Sequence, residues 1–179
     1  MCGIAGIMFK GVTDGAATGR ALIDMLDGCQ HRGPDSTGFA LYGAIRENQL
    51  RMRFFVGGDE EADSAVSRIR ETLSEQNAPI IDEQRVGNTF QVIVEFSGDL
   101  RKLAYAVEHA AKVISMGTSL DIVKDVGSAH EVDETFDVHK FTGTHGLGHV
   151  RLATESEVKP EAAHPFWATG FADVAIVHN

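Results

Sequence analysis

The sequence predicts an α+β fold, and three observations predict it. The chain opens on an apolar run, Gly3 to Phe9, that reads as a buried strand. Leu22, Met25, Leu26 and Cys29 then fall at helical spacing and give one apolar stripe. From about residue 50 to about residue 126, strand-like and helix-like periods alternate in the order β-α-β-β-α-β.

Each element has a local reason. Residues 11 to 17 are Gly- and Ala-rich and read as a loop. Gln30 to Gly38 breaks the first helix with Gly33 and Pro34 and reads as an ordered loop, with Phe39 to Tyr42 as the next strand. Met52, Phe54 and Val56 alternate with Arg51 and Arg53, a strand pattern. Asp59, Glu60 and Glu61 suit the positive N-terminal end of the helix that follows, and Ala62, Val66, Ile69 and Leu73 form its apolar face. A strand over residues 79–86, a Gly87-Asn88 turn and the alternation of Phe90, Val92, Val94 and Phe96 come next. Ser97 is positioned to cap a helix with the stripe Leu100, Leu103, Val107, Ala111 and Ile114, and Leu120 to Val126 is expected to close the set. This is the split βαβ, ferredoxin-like pattern. These elements either extend the surrounding sheet or form a separate module, and the different rhythm of this stretch favours the module. The expected organisation is a core built from 1–44 and 141–179 and an inserted α+β subdomain over 45–140.

From about residue 141 the composition shifts. Gly143, Gly146 and Gly148 lead into His149-Val150-Arg151-Leu152-Ala153-Thr154. A polar loop runs from Glu155 to Ala163, followed by His164-Pro165-Phe166-Trp167. Val174 to Asn179 reads as a final buried strand with polar groups at its end.

Bulk properties narrow the function. The chain has 179 residues, 43% of them hydrophobic, enough for one domain with a sizeable insertion. The net charge of -10 argues against nucleic acid or an anionic membrane surface as the main partner. Two cysteines, Cys2 and Cys29, make no disulfide framework, and the N-terminus has no charged region or long apolar run of the signal-peptide kind. No stretch approaches the ~18 apolar residues needed to span a bilayer. A soluble, cytoplasmic protein is expected.

Cys2 carries the most chemical information. Methionine before a small residue is readily removed, which would place the Cys2 thiol and a free α-amino group on one residue. A free thiol has a pKa near ~8.5 and an α-amino group near ~7.7–8.0, so the amine can accept the thiol proton near neutral pH. Met-Cys-Gly on its own is better read as a small buried residue in an apolar strand. Other segments change that balance: Met-Cys-Gly-Ile-Ala-Gly at the start, His31-Arg32-Gly33-Pro34-Asp35-Ser36, Gly148 to Thr154, Ala163-His164-Pro165-Phe166, and His178-Asn179, in that order.

Taken together, these motifs resemble the class II glutamine amidotransferases of the N-terminal-nucleophile (Ntn) hydrolase superfamily, over roughly residues 1–44 and 141–179. Asparagine synthetase, glutamine–fructose-6-phosphate amidotransferase and glutamate synthase carry such domains. The insertion and the Leu152-Ala153-Thr154-Glu155-Ser156 run look most like stand-alone glutamate-synthase-related subunits, such as that of methylamine–glutamate N-methyltransferase (N-methylglutamate synthase). The resemblance implies an αββα sandwich of two antiparallel sheets with helices outside, here incomplete at its C-terminal side. It implies L-glutamine as substrate, Cys2 as nucleophile and Asn179 as an oxyanion donor. It also implies Arg151 as the partner of the substrate α-carboxylate, with Thr154 and Glu155 lining the glutamine pocket. Arg32 and Asp35 are expected to order the loop over the site.

This sequence departs from the family at Leu152, where several relatives carry an aromatic residue. It also stops at Asn179, where the family continues with a glycine that completes the oxyanion hole and, later, an acidic residue for the substrate α-amino group. A C-terminally truncated chain with weak turnover is the expectation. His145 and His149 are four apart, but the intervening Gly-Leu-Gly disfavours a helix, so no metal site is expected. Cys29 reads as inert core. No Walker or Rossmann fingerprint appears, so no cofactor is expected. Two functions follow: a glutaminase that supplies ammonia to a glutamate-synthase-like partner subunit, or a non-catalytic regulatory or binding subunit that retains the amidotransferase shell.

Overall fold

The computed structural model describes residues 2–11, 15–153 and 157–179, except the side chains of Asp59 and Glu60. In chain order the elements are β1 (Gly3–Met8), α1 (Thr18–Asp27), β2 (Ser36–Tyr42), β3 (Gln49–Phe55), α2 (Asp59–Glu75), β4 (Ile80–Val86) and β5 (Thr89–Glu95). They continue with α3 (Leu100–Ala110), β6 (Lys112–Gly117), β7 (Leu120–Val126), α4 (Ala129–Phe136), β8 (His145–Arg151), β9 (Phe166–Trp167) and β10 (Ala175–Ile176). Single 3₁₀ turns lie at Gln30–Arg32, Val138–Lys140 and Pro160–Ala162. The fold is α+β with antiparallel pairing, and the chain divides into two compact units.

The first unit comprises Met1–Ala44, Ile122–Phe166 and Ala175–Asn179. Its sheet has the order β1-β8-β2-β7, and β8 runs antiparallel to both β1 and β2. Leu22, Ile23 and Leu26 of α1 and Ala129 and Val132 of α4 pack with Ala5, Phe39, Leu41, Val123 and Val150 into one core. Close approach requires glycine on β8. A Cβ at Gly146 would lie 2.7 Å from Leu22 Cδ1, and one at Gly148 would lie 2.8 Å from Leu26 Cδ1. The helix stripe differs from the expected one: Ile23 is buried, Met25 is 42% exposed, and Cys29 lies beyond the helix end. Cys29 is half-buried against the core, where its sulfur would sit 2.8 Å from a Cβ on Gly3.

The second unit comprises Ile45–Asp121 and Trp167–Val174. Its sheet has the order β4-β5-β3-β6. β3 pairs antiparallel with both β5 and β6, and β5 pairs antiparallel with β4. The expected apolar face of α2 is buried at Ala62, Val66, Ile69 and Leu73. Two expectations here are corrected. The cap of α3 is Asp99, whose carboxylate accepts the Arg101 and Lys102 N–H groups at 2.9 and 3.3 Å, not Ser97. Ile114 is not on that helix. Ala111 turns to extended backbone, so Lys112–Gly117 runs as the strand beside β3. Leu120 to Val126, expected to close this sheet, instead joins the first one as β7.

The boundaries shift accordingly. Residues 122–140, read as part of the insert, lie in the first unit, where α4 packs in the core. Helix α4 opens on a capping box: Ser128 Oγ accepts the Glu131 N–H, and the Glu131 carboxylate accepts the Ser128 N–H. Trp167–Val174, read as core, belongs to the second unit. The Asp173 carboxylate explains this. It accepts from the backbone N–H groups of Thr118, Ser119 and Leu120 and from the Thr118 and Ser119 hydroxyls, at 2.8–3.1 Å. The expected buried strand from Val174 onward is short and open: only Ala175–Ile176 is strand, and Val174 and Ile176 are 44% and 59% exposed. Among the described residues no helix is long and apolar enough to cross a membrane.

A buried ion pair organises the second unit. Arg53 Nε and Nη2 donate to the two carboxylate oxygens of Asp121, each at 2.8 Å, and Gln91 Nε2 donates to Asp121 Oδ2 at 2.8 Å. Burial disfavours the charged carboxylate, but the Arg53 guanidinium outweighs it and holds Asp121 below the usual carboxylate range. Arg53→Met is expected to lower stability by about 3–5 kcal/mol, because it leaves Asp121 buried without its cation. Because the folded pKa of Asp121 is depressed, its contribution is present above the unfolded value near ~3.9 and is lost as pH falls. Urea denaturation from pH 7 down to pH 3 measures both effects, and Asp121→Asn should flatten the acid side of the profile.

Candidate functional site

Strand pairing brings the N-terminus onto the face of the first sheet opposite α1. Gly3 pairs with Val150 and Ile4 with His149 on one side of β8, while Ser36 pairs with Arg151 on the other. Side chains alternate along a strand, so Val150, buried with α1 in the core, sends Arg151 and His149 to the other face. Ser36 shares that face as the cross-strand partner of Arg151. Cys2 immediately precedes Gly3, whose Cβ position faces Cys29 and Val150, so Cys2 falls on the Arg151 face as well.

Cys2 and Asn179, 177 positions apart, meet directly. The Cys2 backbone N–H donates to Asn179 Oδ1 at 3.1 Å. An N–H can only donate, so the side-chain oxygen of Asn179 faces Cys2, and its amide nitrogen keeps its hydrogens for another acceptor. Cys2 is half-buried and Arg151 is buried at the end of β8. Thr154 and Glu155, the other expected pocket residues, lie outside the described residues. Leu152 is 37% exposed.

The Gln30–Ser36 loop is held against β8 and the turn before α4. The Asp35 N–H donates to the Arg151 carbonyl at 3.1 Å, and Asp35 Oδ2 accepts the Ala153 N–H at 2.7 Å. Gln30 Nε2 donates to the Gly33 carbonyl and Gln30 Oε1 accepts the Ala129 N–H, both at 2.9 Å. A Cβ on Gly33 would meet the Val150 carbonyl at 2.4 Å, so no other residue lets the loop approach this closely. Asp35 thus fixes the backbone on both sides of Leu152, while Arg32 is exposed.

Sequence reasoning missed a basic cluster beside this row. His149 is fully buried, and its Nε2 lies 3.0 Å from the His178 carbonyl oxygen. Its ring tilts against that of His164, centroids 4.4 Å apart. Lys124, almost fully buried on β7, donates to the Ala163 and Pro165 carbonyls at 2.7 and 3.1 Å and lies 4.5 Å from the Phe166 ring centre. The available signal was a lysine inside the expected strand Leu120 to Val126. Burial lowers the pKa of His164 to about 4, reinforced by nearby His149, Lys124 and Arg151. His145 is on the same strand as His149, about 13 Å away at ~3.3 Å per residue, and stacks on Tyr42 instead. Among the described residues no group of three His, Cys, Asp or Glu side chains could hold a metal ion.

No family model matches the chain. Curated proteins do match it. It is 33% identical over its whole length to a protein of Methanothermobacter thermautotrophicus provisionally named a glutamine amidotransferase, spanning 61% of that protein. It is 35% identical, again over its whole length, to the glutamine amidotransferase-like protein GlxB of Rhizobium meliloti, spanning 58% of it. A shorter stretch, 45% of the chain, is 34% identical to 13% of the glutamine–fructose-6-phosphate aminotransferase of M. thermautotrophicus. The chain therefore spans about three fifths of the length of the two curated relatives it matches throughout.

The depressed His164 pKa gives a stability test. The unfolded chain binds a proton near ~6.5 that the folded chain resists until about pH 4. Stability is therefore expected to fall as pH drops through that window. His164→Phe should remove part of this slope, measured as urea midpoints between pH 7 and pH 4.

Proposed function

We propose that this chain is the glutamine-hydrolysing part of a class II amidotransferase of the Ntn type, with Cys2 as nucleophile once Met1 is removed. The observation that carries the reading is the contact of Cys2 N with Asn179 Oδ1, on the sheet face that also holds Arg151. In the processed protein the Cys2 nitrogen is an α-amine. It takes the thiol proton, directly or through a water, and the sulfur attacks the side-chain carbonyl carbon of glutamine. Asn179 Oδ1 holds the amine, and its Nδ2 donates to the oxyanion, a contact worth roughly 2.7–4 kcal/mol in comparable sites. Collapse breaks the C–N bond, and the Cys2 ammonium returns its proton to the departing nitrogen, which leaves as ammonia. Water then attacks the glutamyl thioester, the amine accepting its proton, to give glutamate and the free thiol.

In this reading Arg151 grips the glutamine α-carboxylate, a planar fork suited to a carboxylate, and Thr154 and Glu155 line the pocket. The order of the second sheet and its two helices supports a ferredoxin-like insert. The ammonia acceptor is read as a glutamate-synthase-like synthase subunit in the cytoplasm. The alternative is a non-catalytic subunit retaining the same shell. The loop tied down by Asp35 and Gly33 serves either role, whereas the Cys2–Asn179 contact favours the catalytic one.

In the full-length protein with Met1 removed, a glutamine-like diazoketone is expected to modify Cys2 and spare Cys29, as read by peptide mass. Cys2→Ala should abolish ammonia release from glutamine. Full activity in that variant rules out Cys2 as nucleophile, whereas no ammonia release and no labelling in the wild type selects the non-catalytic reading. Arg151→Lys should raise the KM for glutamine about tenfold or more, because an ammonium keeps the charge but not the fork. An unchanged KM assigns Arg151 to the structure alone.

A further inference from the structure

The site as proposed uses Asn179 but does not explain what holds it. Asn179 and His178 are both exposed and lie beyond the last strand residue, Ile176, so regular secondary structure does not fix them. A catalytic amide has to be held within about 0.5 Å of its working position. Among the described residues Asn179 hydrogen-bonds to Cys2 alone. The neighbouring residue is held from beneath: the His178 carbonyl, one bond from the Asn179 backbone nitrogen, lies 3.0 Å from His149 Nε2.

We infer that His149 is a positioning residue: its buried Nε2–H anchors the His178 carbonyl and so sets the Asn179 side chain against the Cys2 nitrogen. This rests on the glutamine-hydrolysing reading of Cys2 and Asn179.

The chemistry assigns the proton. A carbonyl only accepts, so Nε2 carries the hydrogen, and neutral imidazole then has its lone pair on Nδ1. His149 Nδ1 is buried without a hydrogen-bond partner among the described residues, so nothing there competes for the proton. The groups facing the ring also keep it neutral. Burial lowers its pKa first; the bond to His178 opposes this, and Arg151 and His178 lower it further. His164 packs on the ring from the segment before β9, and Lys124 donates to the carbonyls of Ala163 and Pro165 on either side of His164. The anchor also starts from a rigid point, because His149 sits within β8 between β1 and β2, paired with Ile4 and Gly38. Arg151 lies two residues along the same strand. One strand thereby carries both the proposed carboxylate grip and the support for the proposed oxyanion donor.

The test compares three forms of the full-length, processed protein. His149→Leu removes the donor, and His149→Gln places an amide N–H at a similar reach. The Leu variant is expected to lose about tenfold to a hundredfold in kcat with little change in the KM for glutamine, as for a small misplacement of a catalytic group. The Gln variant should recover to within about threefold of wild type. A Leu variant with wild-type kcat overturns the inference. So does a well-folded Gln variant about tenfold or more slower than wild type, a comparison that also decides the matter if Leu does not fold. Nitrogen-15 NMR of the wild type gives a readout independent of turnover: His149 is expected as the neutral Nε2–H tautomer at pH 7, and the Nδ1–H tautomer overturns the anchor. If wild type releases no ammonia and Cys2 resists the diazoketone, the functional reading fails, while the tautomer still decides whether His149 holds His178.

Discussion

The register of β8 between β1 and β2 decides what stands on each face of the first sheet. With Gly3 opposite Val150 and Ser36 opposite Arg151, Val150 packs under α1, and Arg151 and His149 emerge beside Cys2. A slip of one residue would invert this, sending Arg151 into the apolar core and Val150 to the site. The core of Phe39, Leu26 and Val150 therefore does more than stabilise the unit. By making that slip costly, it keeps residues from both ends of the sequence in one row.

The supporting hydrogen bonds follow the same economy of backbone. Asp35 grips the chain on either side of Leu152. Lys124 gathers the carbonyls of Ala163 and Pro165. His149 reaches the carbonyl of His178. In each case a side chain on or beside a paired strand holds an irregular segment by its backbone. Irregular segments have no ladder of their own, so side chains meet their hydrogen-bonding needs.

Much of this was legible in the sequence, for identifiable reasons. The alternation of Phe90, Val92 and Val94 and the stripe of Ala62, Val66, Ile69 and Leu73 are local patterns, and they gave β5 and α2. The order of the five short motifs singled out Cys2, Arg151 and Asn179. What failed depended on partners distant in sequence. Ile114 fits a helical stripe from Leu100 as well as it fits a strand, and only pairing with β3 decides between them. Leu120 to Val126 reads as a strand in any sheet, and nothing in its own residues names β2 as its neighbour. Asp99 and Ser97 are both good caps, and position decided for Asp99. The Ser128-Ala129-His130-Glu131 box was readable and marks a helix that composition alone did not suggest. His149 could not be found locally, because its partner carbonyl is 29 residues away and belongs to backbone.

The two glycines of β8 that admit Leu22 and Leu26 bear on how this unit can change over time. An alanine at position 148 would drive a methyl group into the Leu26 side chain, and one at position 146 into Leu22. A larger residue on the strand becomes tolerable only where the facing helix residue has already shortened. Positions 26 and 148 are therefore bound to drift as a pair, with each intermediate less well packed than either end, while position 146 is held further by the Ala40 carbonyl oxygen, 3.0 Å from where its Cβ would stand. The helix-facing side of the strand that bears Arg151 and His149 is thus the slowest route by which this sheet could be remodelled, and the exposed face at Ile4 and Met8 the quickest.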